Sequence, residues 1–333
     1  MKYLLVDTAN TFFRARHVAY RASDPEEKVG YALHITLNAV NAVVKKFQAD
    51  HVVFALEGRS WRKDVYTPYK RNRAETRAAL TESELEEDRM FWETYDVFCR
   101  YLREQTNCSV IRHERAEADD IIARWIALHP NDNHVIVSSD SDFVQLLAKN
   151  VEQFNGITEE LITVKGIFDR KGKPVIDKKT KEPKKTPDPE WLLFEKCMRG
   201  DVSDNVFSAF PGVRTRGTKN KVGLLEAYED RNKKGFAWNN LMLQRWTDHE
   251  GQEHRVLDDY ERNRQLIDLT AQPDEIKMLV DQAIQEQLSH KDVGQVGVRF
   301  MRFCGKFRLD RASESADQFG KWLNTTYTGV LNQ

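Results

Sequence analysis

Apolar residues fall into two textures along the first half of the chain. Short continuous runs at 2–6 (KYLLV), 51–56 (HVVFAL), 109–112 (SVIR) and 134–137 (HVIV) predict buried strands. Between them, apolar positions recur at helical spacing. Leu33, Leu37, Val40, Val44 and Phe47 mark a core-facing helix over 30–48. Phe91, Tyr95, Phe98 and Leu102 mark another, opened by Thr81 and Glu84 as a capping box. A third opens around 116–120 and runs through IIARWIALH, and a fourth is expected to start at Phe143, Val144, Leu146 and Leu147. Strand and helix in alternation predict β-α-β crossovers, hence an α/β fold on a mainly parallel sheet flanked by helices. After residue 150 the pattern loosens. Short strands are expected around 151–154 and 161–165, and helices at 190–199, through 259–269 and at 273–288. The stretch 297–309 sets apolar residues among basic ones and is expected to pack a final helix onto the core.

Acidic residues stand at or just past the end of each of these four strands. Asp7 ends the first and Glu57 the second. Glu117, Asp119 and Asp120 come after the third, and Asp140 and Asp142 after the fourth. In a parallel sheet those carboxyl ends lie together, at the edge where open α/β sheets place their sites. Each acid also has an ordinary account. Asp7 or Thr8 can cap the next helix, acids are favoured in a helix's first turn by its dipole, and a lone DxD is common turn chemistry. Three acids within four residues nevertheless repel one another unless cations compensate them. Glu117 and Asp120 are three apart on one helical face, while Asp119 projects differently. Hard oxygen ligands without nearby Cys or His pairs select magnesium or manganese over zinc.

At 333 residues, the chain suffices for one large domain or two modest ones. With 40% hydrophobic and 31% charged residues it has the composition of a soluble globular protein. No apolar run approaches the roughly 18 residues of a membrane span, and MKYLLVD is too short an apolar run for a signal peptide. Cys99, Cys108, Cys197 and Cys304 are scattered, which suits free thiols in a reducing cytoplasm. The net charge of −1 hides segregation. Residues 112–120 and 138–142 lean acidic, whereas 59–77 and 165–185 are strongly basic. An acidic pocket flanked by basic strips suits a metal-dependent enzyme acting on a polyanion.

In the first strip, Arg59, Arg62, Lys63, Lys70, Arg71 and Arg73 alternate with Trp61, Tyr66 and Tyr69. Cations would contact phosphates and rings would stack on bases, with Trp61 assigned to the core. The polar stretch after it suits a lid or arch. Residues 169–189, rich in Lys and Pro, form an exposed basic loop or hairpin, either a disordered linker or a second phosphate strip. Gly200 suits a helix C-cap, and Asp204 a cap for the next segment. Arg214, Arg216, Lys219 and Lys221 surround Gly212 and Gly217, where backbone N–H groups can approach a phosphate.

The motifs LLVDTAN, FALEGRSWRKDVYTPYKRNR, AEADD, VSSDSDF and MRGDVSDN occur in that order, and PGVRTRGTKNKVGLLEAY and DYERNRQLIDL come after them. Together they resemble the 5′-nuclease (flap endonuclease) superfamily, especially the bacteriophage ribonuclease H type of 5′-to-3′ exonuclease. The resemblance implies a PIN-like α/β core over 1–189 with a helical arch at about 60–90. It also implies a helical region over 190–333 carrying a helix–turn–helix-type duplex-binding element. It implies two Mg2+ sites, with Mn2+ able to substitute. Asp7, Glu57, Glu117, Asp119 and Asp140 would serve one metal or its water shell. Asp142, Asp201 and Asp204 would serve the other, with Asp120 nearby. Lys70 matches the family's active-site lysine in YKxNR, with Tyr69 and Arg73 beside it. Lys70, Arg73 and Asp142 are then the expected catalytic residues, and Tyr69 would stack on a terminal base. Two departures stand out: Glu57 where the family usually has Asp, and a turn lacking the compact GxGxKxA form.

The implied activity is two-metal hydrolysis of phosphodiesters at 5′ ends, nicks or flaps of duplex DNA and RNA–DNA hybrids, including RNA primer removal in replication. A single-strand-binding protein or a polymerase clamp are candidate partners, and the chain is expected to be monomeric. Two rivals remain at this point: a PIN-type ribonuclease on single-stranded RNA, and a non-catalytic nucleic-acid-binding relative. The first sits poorly with the basic arch and long helical C-terminal region, the second with so many retained like charges.

Overall fold

Lys2–Asp7 form the first strand, β1, because an uninterrupted apolar run can bury both faces. Tyr3 to Val6 are wholly inaccessible in the computed structural model, which describes residues 1–19, 24–288 and 292–331. The chain continues through α1 (Thr8–Ala19), α2 (Pro25–Phe47), β2 (His51–Ala55), α3 (Arg62–Val65), α4 (Arg71–Ala78) and α5 (Glu82–Gln105). Then come β3 (Ser109–Ile111), α6 (Ala118–Leu128), β4 (Asn133–Val137), a 3-10 turn at Ser141–Leu146, β5 (Val151–Asn155), β6 (Glu160–Thr163) and β7 (Gly166–Phe168). After α7 (Pro189–Arg199), α8 (Leu224–Asp230) and α9 (Phe236–Met242), a hairpin of β8 (Arg245–Thr247) and β9 (Glu253–Arg255) leads into α10 (Val256–Ile267). The remaining helices are α11 (Asp274–Leu288), α12 (Val296–Lys306), α13 (Asp310–Glu314) and α14 (Ala316–Leu323).

The large sheet has the order β3-β2-β1-β4-β5-β6-β7. β1 to β5 run parallel, and β6 and β7 fold back antiparallel. Asp7 pairs with Ala55 and Val6 with Val137, so the carboxyl ends of β1, β2 and β4 end level. Alternate side chains serve opposite faces. Leu4 and Val6 join a core with Phe12, Leu33, Phe98, Phe300, Phe303 and Trp322. Tyr3, on the other face, meets Trp125 of α6 edge-on and His129, just past its end, in a tilted contact. Arg124 of α6 makes a forked pair with Asp281 of α11, both bonds 2.7 Å.

The chain divides into two compact units. The first comprises Met1–Trp61, Leu80–Thr186 and Pro273–Gln333, and the second Arg62–Ala79 and Pro187–Gln272. One crossing, at Thr186–Pro187, falls near residue 189, but the chain from Pro273 onward returns to the first unit. The second unit has its own core, in which Phe194, Met198, Leu224, Trp238, Leu241 and Val256 pack together.

The capping box at Thr81 is present: Thr81 N–H donates to Glu84 at 2.8 Å and Glu84 N–H to the Thr81 hydroxyl at 3.3 Å. α12 packs onto the core as expected, through Phe300 and Phe303. Two elements differ from the sequence expectation. α2 starts at Pro25, whose fixed φ suits the first helical turn. The helix expected from Phe143 is only a 3-10 turn, because β5 begins at Val151 and leaves no length for more. Residues 169–184 form a hydrogen-bonded hairpin rather than a linker, with Val175 N–H on Ile167 O at 2.9 Å and Lys184 N–H on Val175 O at 2.7 Å.

Past β2 the chain is stitched to the segment before α6. Leu56, Gly58, Arg59 and Trp61 donate N–H groups to Ile111, Ala116, Glu114 and Arg115 at 2.6–2.9 Å. This brings Glu57 to the start of α6. The approach needs a glycine: a Cβ on Gly58 would lie 2.1 Å from His113 O and 2.5 Å from Ala116 O. Gly58→Ala should therefore lower stability by about 2 kcal/mol or more, read as a fall in Tm. An unchanged Tm would contradict this stitching.

Candidate metal centre and phosphate-contacting residues

The acids before α6 do cap it. Asp120 accepts the Glu117 N–H at 3.1 Å, and Asp119 accepts the Asp120 N–H at 2.7 Å. Capping uses only part of each carboxylate's acceptor capacity. One oxygen from each of Glu117, Asp119 and Asp120 lies within 4.8 Å of the other two. Among the described residues this is the one such group of possible metal ligands, and no Cys or His belongs to it. Asp120 is fully buried and Glu117 nearly so. Burial sharpens the mutual repulsion of the charges, and oxygen-only donors fit a hard divalent cation. The Ser60 hydroxyl donates to Glu117 at 3.0 Å, and Glu57 accepts the Ala118 N–H at 3.4 Å.

The ends of β1 and β4 carry a second network. Asp7 accepts the Ser138 hydroxyl at 2.9 Å and the Asn10 N–H at 3.2 Å. Asn10 in turn accepts the Ser139 N–H and hydroxyl at 3.1 and 3.0 Å. Asp140 accepts the Asp142 N–H at 3.0 Å and donates its own to the Ser138 hydroxyl at 3.1 Å. Gln153 of β5 donates to the Ser138 and Asp140 carbonyls at 3.0 and 2.6 Å. Burial pushes the Tyr95 hydroxyl well above its ordinary pKa, and the nearby Cys99, Glu57 and Asp7 add to the rise. Asp7, Glu57, Asp140 and Asp142 thus lie at the sheet edge expected of them, outside the tight three-carboxylate group. Asn10, Ser60, Ser138, Ser139 and Gln153 were not singled out from the sequence, and Tyr95 was expected only as a core position. The serines within SSDSD and the asparagine of DTAN were the available signal.

In the second unit, α7 ends at Gly200 with φ 79°, where a Cβ would lie 2.3 Å from Val206 O. The loop after it closes on itself, Asp201 and Val206 exchanging two 2.8 Å backbone bonds. Asp201 accepts from Lys196 at 2.8 Å and from the Ser203 hydroxyl at 2.6 Å. Burial alone would raise its pKa, but Lys196 and Ser203 outweigh that and leave it below the ordinary value. Asp204 caps no helix, contrary to the expectation. It accepts from the Tyr69 hydroxyl at 2.9 Å and Arg73 at 2.8 Å, with Lys70 at 3.5 Å.

Three expected contacts are corrected by burial and bonding. Tyr69 is 3% exposed and packs with Cys197, Val206, Leu266 and Ile267, so its ring has no face for a base and instead orients Asp204. Arg62 is 1% exposed and donates to the Leu266 carbonyl at 2.7 Å, which makes it a structural arginine rather than a phosphate contact. Gly217 and Gly223 donate their N–H groups to Glu226 at 3.0 and 2.9 Å, so these amides are engaged within the turn. Lys63, Arg71, Arg73, Arg214, Arg216, Lys219 and Lys221 are exposed, and Lys70 is half-buried. Trp61 is in the core, as expected.

A mainly parallel α/β sheet with a carboxylate cluster at its carboxyl edge defines a class of protein able to hold a divalent cation there. The family described as the 5′-3′ exonuclease, N-terminal resolvase-like domain, matches residues 2–172, and the chain belongs to that family. It is 30% identical over 181 residues to a DNA polymerase I of Rhizobium leguminosarum, covering 54% of this chain but only 15% of that polymerase. It is 24% identical over 232 residues to a 5′-3′ exonuclease of Mycoplasmopsis pulmonis, covering 68% of each chain. Its fold matches that of the bacteriophage T5 D15 flap endonuclease, solved as a pseudo-enzyme–product complex with DNA and metal ions. The TM-score is 0.60 at 20% identity, over 86% of this chain and 98% of that one.

If the carboxylate group holds a cation, Mn2+ at about 100 times its Kd should add roughly 2.7 kcal/mol of stability over the protein in EDTA. Asp119→Asn should remove most of that gain. Equal Tm values in Mn2+ and EDTA would contradict the site.

Proposed function

We propose that the chain is a divalent-metal-dependent 5′-nuclease that hydrolyses phosphodiesters at 5′ ends, nicks and flaps of duplex DNA. One observation carries the reading: within the segment that matches the 5′-3′ exonuclease family, Glu117, Asp119 and Asp120 gather at the start of α6, tied to the segment after β2 through Ser60 and Glu57. Asp7, Glu57, Asp140 and Asp142, at the same sheet edge, are proposed to add oxygens to this set, which suits Mg2+, with Mn2+ as substitute. Divalent ions bound there supply an acidified attacking water and neutralise charge on the leaving 3′ oxygen.

The chain's own residues do the positioning. Glu117, Asp119 and Asp120 are held by backbone N–H groups at the start of α6 and by Ser60. Ser138 and Asn10 fix Asp7 at the end of β1. Asp201 and Asp204 are proposed ligands of a second ion, which would compete with Lys196, Lys70 and Arg73 for their oxygens. Lys70 and Arg73, which now pair with Asp204, are proposed contacts to substrate phosphate oxygens. The exposed Arg214, Arg216, Lys219 and Lys221, with Lys63 and Arg71, are proposed contacts to the nucleic-acid backbone. Such contacts carry little sequence information, so recognition should depend on structure. RNA–DNA hybrids are proposed as further substrates, consistent with primer removal. A single-strand-binding protein or polymerase clamp is proposed as partner.

Asp142→Asn should retain 5′-flap DNA binding in Ca2+ and lose cleavage in Mg2+ by a factor of a hundred or more, about 2.7 kcal/mol of barrier. Unchanged turnover would sink the metal assignment for this residue.

A further inference from the structure

The hairpin after β7 carries a charge imbalance the nuclease centre does not explain. Between residues 165 and 185 there are nine Lys or Arg and three Asp or Glu, in a chain whose net charge is −1. The acids at its turns bond to the backbone of those turns. Asp169 accepts the N–H groups of Lys171 and Lys173 at 2.8 Å each, and Asp177 those of Lys179 and Thr180 at 2.8 and 2.9 Å. Asp169 and Gly172 close the first turn, with Gly172 at φ +75°. The carboxylates are thus spent on the backbone, and the cations are displayed. Lys171 and Lys173 are exposed, and of the acids at the turn Asp169 attracts both electrostatically while its bonds go to their backbone N–H groups. Arg170 has only the exposed Glu159 at 3.8 Å, a pair worth little in water. A turn already ordered by its own hydrogen bonds loses little backbone freedom on binding.

The sheet ladder gives this turn an address. Val6 pairs with Val137, Val137 with Phe154, Phe154 with Leu161 and Leu161 with Phe168. Phe168 therefore stands level with the residue before Asp7, and the turn 169–173 continues past that level at the carboxyl edge. Four strand spacings separate β1 from β7, roughly 20 Å at about 4.8 Å each. Phosphates along one strand of a duplex advance about 3.4 Å per nucleotide, so the separation spans roughly six nucleotides.

We propose that the turn bearing Arg170, Lys171 and Lys173 is a phosphate-contacting surface for a duplex arm of the substrate, roughly six nucleotides along the carboxyl edge from the end of β1. The proposal rests on the 5′-nuclease reading and assigns that activity a further contact. Spent acids and displayed cations at that edge favour a polyanion of regular spacing.

The test compares the full wild-type chain with Arg170→Ala/Lys171→Ala/Lys173→Ala on a 5′-flap DNA in Ca2+, tracking log Kd against log salt. Three lost phosphate contacts should make the slope shallower by roughly 2.7. Turnover at saturating substrate in Mg2+ should be unchanged, and KM should rise. Trimming the duplex arm to four base pairs should erase the difference between the proteins. The backbone bonds of the turn are untouched by these substitutions, and an unchanged Tm would verify that. Equal slopes in two proteins that both bind and cleave would overturn the proposal while leaving the 5′-nuclease reading intact. A wild type that neither binds nor cleaves would overturn that reading, and this proposal with it.

Discussion

Parallel pairing of β1 with both of its neighbours aligns Asp7 with Ala55 and Val6 with Val137. That register is the constraint on which the rest of the centre depends. A slip of one residue would turn every side chain of β1 to the opposite face and separate Asp7 from Ser138. The register is secured by burial, since Leu4 and Val6 pack on one face while Tyr3 is enclosed by rings on the other. With it in place, the segments that leave the strands need only short excursions to bring their carboxylates to one edge.

Gathering acids costs stability, and local hydrogen bonding offsets part of that cost. Glu117, Asp119 and Asp120 share the N–H groups of a helix start, whose dipole also favours negative charge. Ser60, Ser138 and Asn10 donate to or brace the flanking carboxylates. These donors orient the carboxylates at the carboxyl edge of the sheet. In the second unit the balance is different: Lys196, Lys70, Arg73 and Tyr69 occupy Asp201 and Asp204 directly. Those two acids sit in standing ion pairs, so any ligand there has to compete.

Much of the fold was legible in the sequence, for identifiable reasons. The parallel strands were continuous apolar runs, the capping box of α5 has a local signature, and Gly200 marks a helix end by its backbone conformation alone. The acids at strand ends were legible because strand ends in a parallel sheet converge. The illegible features depended on contacts far apart in the chain. Nothing near Tyr69 shows that its hydroxyl meets Asp204, or that Arg62 meets the Leu266 carbonyl. Alternating basic and aromatic residues suggested an exposed strip, but burial removed two of its members. Gly212 and Gly217 suggested free amides, whereas Glu226 takes that of Gly217. The 3-10 turn after Asp140 results from where β5 begins, and the return of the chain from Pro273 to the first unit results from tertiary packing.

The central claim is that the clustered carboxylates serve metal-dependent hydrolysis of duplex nucleic acid at a 5′ terminus. The most direct measurement offers the protein 5′-labelled flap DNA, an RNA–DNA hybrid and single-stranded RNA, each with Mg2+ and with EDTA, and sizes the labelled products. The account predicts short 5′ products from the flap and the hybrid in Mg2+, with none in EDTA. Cleavage of the single-stranded RNA alone, or equal cleavage in EDTA, would contradict it.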